Sequence, residues 1–337
     1  MADMNKKTGP VWVIAEQIDC RLLPVSMQLV GRARRLADEL QTTVETVLLG
    51  DKIATQAREL IAAGADRVFL GDASGLAFYH PEAYTDIIVG LAREREPDII
   101  LMGSTAMGRE LAPLVAAGLK TGLTAHCIDL VIDEDRNLEQ RIPAYGGLLS
   151  IICPIRRPQM ATIAGGVFGE PEPDDTRSGE VIKLKAPDVV SQRIKTLEIV
   201  REEPKGEQLE SADIVVAGGA GAGDLQGWQL IAQLADILKG ALGATRPAVD
   251  EGWAELASMI GQSGRMVSPR LYIGVGLSGE QQHLVGVVDA KVMVAINNDA
   301  KSPVFERVDL GIVDDCREFI PVLIEKIKDH RERSTTC

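Results

Sequence analysis

Glycine and polar residues follow apolar runs at three places in the second half of the chain. The segments are "DIVVAGGAGAGD" (Asp213–Asp224), "LYIGVGLSGEQQH" (Leu271–His283) and "VMVAINNDA" (Val292–Ala300). A strand followed by glycines and a helix start leaves free backbone N–H groups that favour an anion such as phosphate. In open α/β sheets, ligands bind beyond the carboxyl ends of the strands. The three segments therefore predict one crevice that suits a large, partly polar cofactor.

The glycine segment does not match the dinucleotide fingerprint G-x-G-x-x-G. Counted from Gly219, the third glycine position holds Asp224, and counted from Gly221 it holds Gln226. No strand ending in Asp or Glu follows about 20 residues on to hold a ribose. Binding of an NAD-type dinucleotide is therefore weakly supported. On this stretch alone, a phosphate loop and a plain tight turn between strand and helix are equally plausible.

The elements that must position these residues alternate along the first half of the chain. From Val11 to Lys120, apolar strand patterns alternate with amphipathic helices, which predicts a parallel sheet with helices on both faces. Four closely spaced strands over residues 122–168 predict an antiparallel extension, and "FGEPEPDDTRSG" (Phe168–Gly179) predicts a surface loop. "GEVIKLKA" and "IKTLEIVREE" predict two further strands.

A second α/β unit begins after the polar segment "EPKGEQLESA". This segment predicts a boundary between an N-terminal domain over 1–204 and a C-terminal domain over 205–337. The strands "DIVVAGG", "LYIGVG" and "VMVAIN", a helix over Gln229–Lys239 and a last helix "EFIPVLIEKIKDH" predict a doubly wound second domain. The predicted fold class is α/β with two domains.

Composition narrows the function classes. The chain has 337 residues, is 45% hydrophobic and carries a net charge of −13, which is typical of a globular enzyme that binds neither nucleic acid nor an anionic membrane. We expect a cytoplasmic protein without membrane insertion, because no apolar run reaches the length of a membrane span and no signal peptide is evident. The cysteines and histidines lack metal-ligand spacing, so we expect no metal site.

Several motifs in order make the whole chain resemble the alpha subunit of electron transfer flavoproteins. The phrases "ATRPAVD", "IGQSGRMVSPRLYIGVGLSGEQQH", "AINNDAKSPVF" and "DLGIVDD" are similar to that family's FAD signature. The similarity is dense over Ala212–Lys328 and looser before it, for example in "PDIILMGSTAMGRELAPLVAAGLKTGLTA". The resemblance implies an N-terminal domain that is nucleotide-binding-like and contacts a beta subunit, and a C-terminal domain that binds FAD.

The resemblance also implies a function. The family shuttles electrons between flavin-dependent dehydrogenases, such as the acyl-CoA dehydrogenases of fatty acid beta-oxidation, and an acceptor. The chain would then be an electron carrier subunit rather than a substrate-converting enzyme. Some members belong to electron-bifurcating complexes, and this sequence leaves that point open. Two alternatives also stay open: an NAD-binding enzyme domain of similar fold, and a non-redox assembly subunit whose flavin site has decayed.

Three side chains are assigned to the flavin ring by the resemblance. Arg246 would lie against the isoalloxazine and stabilise negative charge on it. His283 would act near the pyrimidine carbonyl as a charged or donating imidazole. Ser263 would donate its hydroxyl to the N5 edge. Without the motif, Arg246 would be expected to form a surface salt bridge with Asp250 and His283 would be expected to be structural.

The remaining site residues are assigned to other parts of FAD. The resemblance gives Thr245, Ser278, Gly279 and Gln282 to the ribityl-pyrophosphate. It gives Asn297 and Asp315 to the adenosine end, although loop capping explains those two equally well. The other predicted FAD-binding residues are Ile260, Gly261, Gln262, Glu280 and Gln281.

One position departs from the family pattern. The family's glycine loop usually reads G-G-R-G, and its arginine is expected to contact the FAD phosphates. Here Ala220 stands at the arginine position. Loss of a charge-assisted hydrogen bond weakens binding by about 1.5–3 kcal/mol. Arg265 and Arg270 are the candidates to replace the missing charge.

Overall fold

The computed structural model describes residues 9–144, 147–185, 196–200, 209–210, 212–288 and 290–335. The chain divides into two compact units, Met1–Val200 and Arg201–Cys337. The domain boundary predicted after residue 204 lies outside the described residues.

The first unit alternates strands and helices along most of its length. Its strands are β1 (Val11–Ala15), β2 (Gln17–Ile18), β3 (Arg21–Leu22), β4 (Val44–Gly50), β5 (Arg67–Asp72), β6 (Ile99–Gly103), β7 (Leu123–Cys127), β8 (Asp129–Ile132), β9 (Leu138–Ala144), β10 (Gly147–Ile152), β11 (Gln159–Ile163) and β12 (Glu180–Lys183). Its helices are α1 (Pro24–Leu40), α2 (Gln56–Ala63), α3 (Pro81–Arg95) and α4 (Ala106–Leu119).

A parallel sheet of seven strands forms the centre of this unit, in the order β12-β5-β4-β1-β6-β11-β7. Alternate residues of β1 enter different cores: Val11 and Val13 pack with α1 and α2, and Trp12 packs with α3 and α4 on the other face. A strand buried on both faces is the usual condition in a parallel sheet. The structure therefore confirms the predicted α/β class, with helices on both faces.

The predicted antiparallel extension is only partly correct. Strands β8, β9 and β10 do form a separate antiparallel sheet. However, β7 and β11 belong to the parallel sheet, where β11 lies between β6 and β7 and pairs with both in parallel. Every residue of β11 is buried, so this strand needs cover on both faces, which the central sheet provides. The small antiparallel sheet thus serves as the connection between two parallel strands.

The other strand expectations of this region have different outcomes. "GEVIKLKA" contains β12, which pairs in parallel with β5. "IKTLEIVREE" was expected to form a strand, but its described part, residues 196–200, has no regular structure, and the rest lies outside the described residues. Leu197 and Val200 are 89% and 77% exposed, so this stretch has no apolar packing to hold it in a sheet. Phe168–Gly179 forms the predicted surface loop.

The second unit contains a five-stranded parallel sheet in the order β14-β13-β15-β16-β17. Its strands are β13 (Ile214–Gly218), β14 (Ala241–Ala244), β15 (Leu271–Val275), β16 (Val292–Asn297) and β17 (Leu310–Val313). Its helices are α5 (Leu225–Leu238), α6 (Arg246–Asp250), α7 (Gln281–Leu284) and α8 (Cys316–Thr335).

The two faces of this sheet are covered differently. Helices α5 and α8 pack on one face around Val216, Ile231 and Ile320. The opposite core, which includes Tyr272, is closed by irregular segments that carry Ile260, Val267 and Val304. The chain runs from β13 outward to β14 and then returns to β15 on the other side of β13. This reversal is a topological switch point, where the loops diverge and leave a crevice.

Candidate cofactor site

A cavity of about 520 Å³ lies at the carboxyl ends of the second sheet. Its walls come from the residues that follow β13, β14, β15 and β16, so it occupies the switch point. Its volume falls within the range of about 300–1,000 Å³ that is usual for cofactor sites. The predicted site residues that line it are Thr245, Arg246, Ile260, Gly261, Gln262, Ser263, Ser278, Gly279, Glu280, Gln282, His283 and Asn297.

Gln281 and Asp315 are the two predicted residues that the structure does not bring to the cavity. Gln281 is an exposed residue at the start of α7. Asp315 precedes α8, and its Oδ1 accepts a 2.9 Å hydrogen bond from the Arg317 N–H. Asp315 therefore caps a helix, which was the alternative explanation for it.

The glycines after β13 allow two loops to approach each other closely. The Gly221 N–H donates to the Gly276 carbonyl at 2.8 Å. Gly276 has a φ of +60°, and a Cβ on it would lie 2.7 Å from the Gly221 carbonyl carbon. Only glycine fits such a contact without a backbone shift. Gly221 is therefore explained by a tight turn between strand and helix. Asp224 caps α5, because its side chain accepts a hydrogen bond from the Gly227 N–H at 3.0 Å.

Thr245 carries a polar atom that has no hydrogen-bond partner in the part of the chain that the structure describes. Its Oγ1 is buried and makes no hydrogen bond with any described residue. The residue lies between β14 and α6 on the cavity wall. Buried hydroxyls are satisfied in nearly all proteins, so an orphaned one beside a cavity indicates a ligand group that completes it.

Asn297 ties the loops of the cavity together. Its Nδ2 donates to the Leu277 carbonyl at 2.9 Å and to Ser302 Oγ at 3.1 Å, and its Oδ1 accepts from the Asp299 N–H at 2.9 Å. The Ser302 hydroxyl in turn donates to the Ser278 carbonyl at 3.3 Å. These bonds fix the ends of β15 and β16 relative to each other, as an Asx residue in a loop often does.

The turn over residues 261–264 forms another part of the wall. The Gly264 N–H donates to the Gly261 carbonyl at 2.9 Å, and the Gln262 N–H donates to the Gln282 carbonyl at 2.7 Å. Gly261 has a φ of +139°, which favours glycine. Ser263 is exposed at the tip of this turn, so its hydroxyl is available to a ligand.

Arg246 is the cationic side chain that lines the cavity among the described residues, and Glu280 and Asp299 are the anionic ones. The Arg246 side chain is 77% exposed, and its Nε lies 3.5 Å from Asp250 Oδ2. The salt bridge expected without the motif is therefore present. Exposed pairs of this spacing contribute little, about 0.3–0.5 kcal/mol, so the guanidinium is free to turn towards a ligand.

His283 differs from the charged or donating imidazole that the resemblance implied. Its ring is buried, its Nδ1 lies 3.0 Å from the Ile260 carbonyl, and its Nε2 lies 2.6 Å from the Tyr272 hydroxyl. Burial lowers the pKa of His283 to about 4. The imidazole is therefore neutral at neutral pH, and both of its nitrogens already have partners inside the protein.

The two arginines considered as replacements for the missing loop arginine do not reach the cavity. Arg265 forms a salt bridge with Glu210, and neither Arg265 nor Arg270 is part of the cavity wall. Ala220 itself is exposed and lines the cavity. The loop position thus faces the ligand space without a positive charge.

Several lining residues were not predicted from the sequence. Asp299 and Ser302 belong to the phrase "AINNDAKSPVF", so their closeness to Asn297 was a usable signal. Met259 lies outside this phrase, has no polar group and carries no such signal.

The described part of the chain lacks metal-binding clusters and membrane-spanning helices. It holds no group of three or more His, Cys, Asp or Glu residues that could bind a metal ion. None of its helices combines the length and the apolar character needed to cross a membrane.

Comparison with known proteins identifies the family. Residues 11–189 match the model of the electron transfer flavoprotein domain, and residues 208–288 match that of the electron transfer flavoprotein FAD-binding domain. The chain belongs to the electron transfer flavoprotein alpha subunit family. Electron transfer is therefore the role of this chain, and FAD is its cofactor.

Curated relatives of this flavoprotein family match over nearly the whole chain. The alpha subunit of Thermoanaerobacterium thermosaccharolyticum is 44% identical and that of Megasphaera elsdenii 40% identical, with 94% and 95% of this chain and 97% of each relative covered. A protein of Anaerotignum propionicum named acryloyl-CoA reductase electron transfer subunit beta is 34% identical, covering 97% of this chain and 98% of its own length.

The cavity fits the cofactor of the electron transfer flavoprotein family. It has the volume, the glycine-lined approach and the orphaned Thr245 hydroxyl that a large ligand with phosphate and sugar groups would use. It also lies in the unit that contains the FAD-binding match.

Removing the Thr245 hydroxyl should have opposite effects on the stability of the cofactor-free protein and on its affinity for FAD. Thr245→Val removes Oγ1 at nearly constant volume. We expect the cofactor-free protein to gain up to about 1 kcal/mol in free energy of unfolding, and FAD binding to weaken by about 0.5–1.5 kcal/mol. Denaturant unfolding and FAD titration measure the two effects. Thr245→Ser, which keeps the hydroxyl, is the control, and equal FAD affinity in Thr245→Val would refute the ligand contact.

Proposed function

We propose that this chain is the FAD-carrying subunit of a heterodimeric electron transfer flavoprotein. It would shuttle electrons between flavin-dependent dehydrogenases, such as acyl-CoA dehydrogenases, and an acceptor. The orphaned Thr245 hydroxyl on the wall of a switch-point cavity carries this proposal, because a decayed site would have no reason to keep a buried unpaired polar atom.

The chain's own residues would bind and orient FAD at this cavity. Thr245 would donate to the cofactor, Ser263 would present its hydroxyl from the exposed turn, and the Ser278–Gly279 loop would supply backbone groups to the ribityl-pyrophosphate. Arg246 would provide positive charge next to the ring system. FAD, when bound, supplies the capacity to accept and release electrons. The protein then needs to hold the ring, set its surroundings and exclude bulk water, rather than provide a nucleophile or a base.

A beta subunit is the proposed permanent partner, and the first unit offers a surface for it. Strand β10 is at the edge of the small antiparallel sheet. Leu148 on this strand is 61% exposed and Ile155, just after it, is 90% exposed. An apolar edge strand with unpaired backbone groups is a usual site of protein association. We assign this surface, Leu148 to Ile155, to the beta subunit.

The proposal extends to the dehydrogenase, the pathway and the compartment. The Anaerotignum relative is named as an electron transfer subunit of acryloyl-CoA reductase. That name supports an acyl-CoA-oxidising or acyl-CoA-reducing flavoenzyme as the redox partner, and a role in fatty acid beta-oxidation or a related route. We propose a cytoplasmic location. The number of FAD molecules in the complex would decide whether it bifurcates electrons.

The spectrum of the purified complex with its beta subunit tests the proposed function. We expect a yellow protein that releases FAD on denaturation. Replacing both Thr245 and Arg246 by alanine should reduce the bound FAD, because both line the cavity. A colourless complex that cannot be reconstituted with FAD would support the decayed assembly subunit. Release of NAD instead would support the NAD-binding enzyme.

The proposed beta-subunit surface has its own test. Leu148→Glu combined with Ile155→Glu should prevent co-purification with the beta subunit, because two carboxylates would be buried in the interface. Leu256→Glu is the matched control, since Leu256 is a 70% exposed apolar residue of the second unit. Retained complex formation by the double variant would remove this surface from the proposal but leave the FAD assignment in place.

A further inference from the structure

We propose that Arg317 is a positioning residue of the FAD site, whose guanidinium cancels the charge of Asp224 behind the glycine loop and so lets that loop accept the FAD phosphates. The glycine loop is residues 218–224, which contain no lysine or arginine. Arg317 lies in the first turn of α8 and is not part of the cavity wall. The inference rests on the proposed function, because it takes FAD to bind in this cavity with its phosphates at the loop.

Helix α8 begins directly behind the glycine loop. The Arg317 Nη2 donates to the Ala222 carbonyl at 3.1 Å and lies 2.9 Å from Asp224 Oδ2. Gly223, between these two residues, has a φ of +80°, and a Cβ on it would lie 2.6 Å from the same Nη2. The guanidinium therefore lies over the glycine position and contacts the carbonyl on one side of it and the carboxylate on the other.

Asp224 places a negative charge at the end of the glycine loop. The Gly227 N–H that donates to its Oδ1, together with Arg317, holds the pKa of this carboxyl below its usual value. The carboxylate is therefore ionised at neutral pH. Ala220 and Gly221 line the cavity, and three residues of chain from Gly221 to Asp224 span at most about 11 Å between Cα atoms. At that range, an unpaired carboxylate repels a phosphate when the ionic strength is low.

The ion pair between Arg317 and Asp224 removes this repulsion because it has no net charge. Its side chains are 45% and 51% exposed, and pairs this exposed contribute little to the stability of a fold. The charges still act on a ligand nearby, since the field of an unpaired charge extends over a Debye length. Replacing one partner alone therefore changes the charge beside the phosphates by one unit, whereas replacing both leaves it unchanged.

FAD titration of the reconstituted complex with the beta subunit tests the inference through a double-mutant cycle. Arg317→Gln leaves Asp224 unpaired and should raise the Kd for FAD about fivefold at about 10 mM salt, the scale of one solvent-screened charge at contact distance. Asp224→Asn still caps α5 but leaves Arg317 unpaired, so it should lower the Kd by a similar factor. Arg317→Gln combined with Asp224→Asn should return the Kd to the wild-type value.

High salt and a second ion pair provide the controls. At about 1 M salt the Debye length is about 3 Å, so the differences in Kd among these variants should disappear. A distorted loop would bind FAD poorly at either salt concentration. Arg265→Gln breaks a matched pair with Glu210 in the same unit, whose side chains are 48% and 43% exposed and do not line the cavity. It should leave the Kd unchanged.

Two results would overturn the inference. One is an unchanged FAD affinity in Arg317→Gln at low salt. The other is a loss of affinity that Asp224→Asn does not reverse or that persists at high salt, because Arg317 would then only maintain the shape of the loop. A wild-type complex that takes up no FAD would refute the proposed function and this inference with it, whereas the two results above refute the inference alone.

Discussion

Arg246→Ala should lower the reduction potential of the bound flavin by about 20–90 mV. Among the described residues, Arg246 is the cationic side chain on the cavity wall, and the neutral His283 cannot take over its charge. For a contact of about 4 Å, a unit charge contributes about 1 kcal/mol in water and about 4 kcal/mol at an effective dielectric constant of about 20. The range follows because about 1.4 kcal/mol equals about 30 mV for a two-electron couple. Spectroelectrochemical titration of the purified complex measures the change.

Two controls make the Arg246 result specific. Arg246→Lys keeps the charge but loses the planar fork, so its potential should lie between those of the wild type and the alanine variant. Arg265→Ala removes an exposed arginine that pairs with Glu210 and does not line the cavity, and it should leave the potential unchanged. An unchanged potential in Arg246→Ala would refute the role assigned to this side chain.

Ala220→Arg should tighten FAD binding by about 1.5–3 kcal/mol, which is roughly a 10- to 150-fold decrease in Kd. Ala220 is exposed and lines the cavity, so an arginine side chain there has room to reach the ligand space. Among the described residues, the wall carries the carboxylates of Glu280 and Asp299 and the guanidinium of Arg246. A further positive charge near the phosphates of FAD should therefore be favourable. FAD titration of the reconstituted apo-complex measures the affinity.

Side chains of opposite charge and of no charge at position 220 provide the controls for this variant. Ala220→Glu introduces a shorter side chain with the opposite charge and should weaken FAD binding. Ala220→Gln, which is polar but uncharged, should lie between the two. If Ala220→Arg binds FAD no more tightly than the wild type, another group already neutralises the phosphates. Arg317 would then be the next residue to replace, because its guanidinium contacts the Ala222 carbonyl at 3.1 Å, close behind the glycine loop.

The periodicity of the apolar residues predicted most of the two central sheets. Runs such as "VWVIAE" and "DIILMG" are apolar at every position, which is the pattern of a strand covered on both faces, and these became β1 and β6. The prediction was wrong where spacing alone was used. Close spacing suggested that β11 joins an antiparallel extension, whereas its complete burial places it in the parallel sheet. Spacing reports how far apart strands are along the chain, and pairing depends on which sheet can bury both faces.

The site was predicted in outline from motif order. Most of the predicted residues line one cavity because each motif follows a parallel strand, and the carboxyl ends of parallel strands meet at one edge of the sheet. Asp315 was an exception for a local reason. It also follows a strand, β17, but that strand is at the far edge of the sheet, and its carboxylate caps α8.

The sequence by itself determined the α/β class, the presence of a cofactor crevice after the strands of the second unit, and the family. These properties depend on local periodicity and on motifs that can be read in order along the chain. Only the tertiary structure decided the state of His283, the lack of a hydrogen-bond partner for Thr245 among the described residues, and the position of Arg265 and Arg270 away from the cavity wall. Each of these depends on burial and on contacts between residues that are distant in the chain. The buried Tyr272 hydroxyl contacts an imidazole eleven residues away, and no local pattern records that contact.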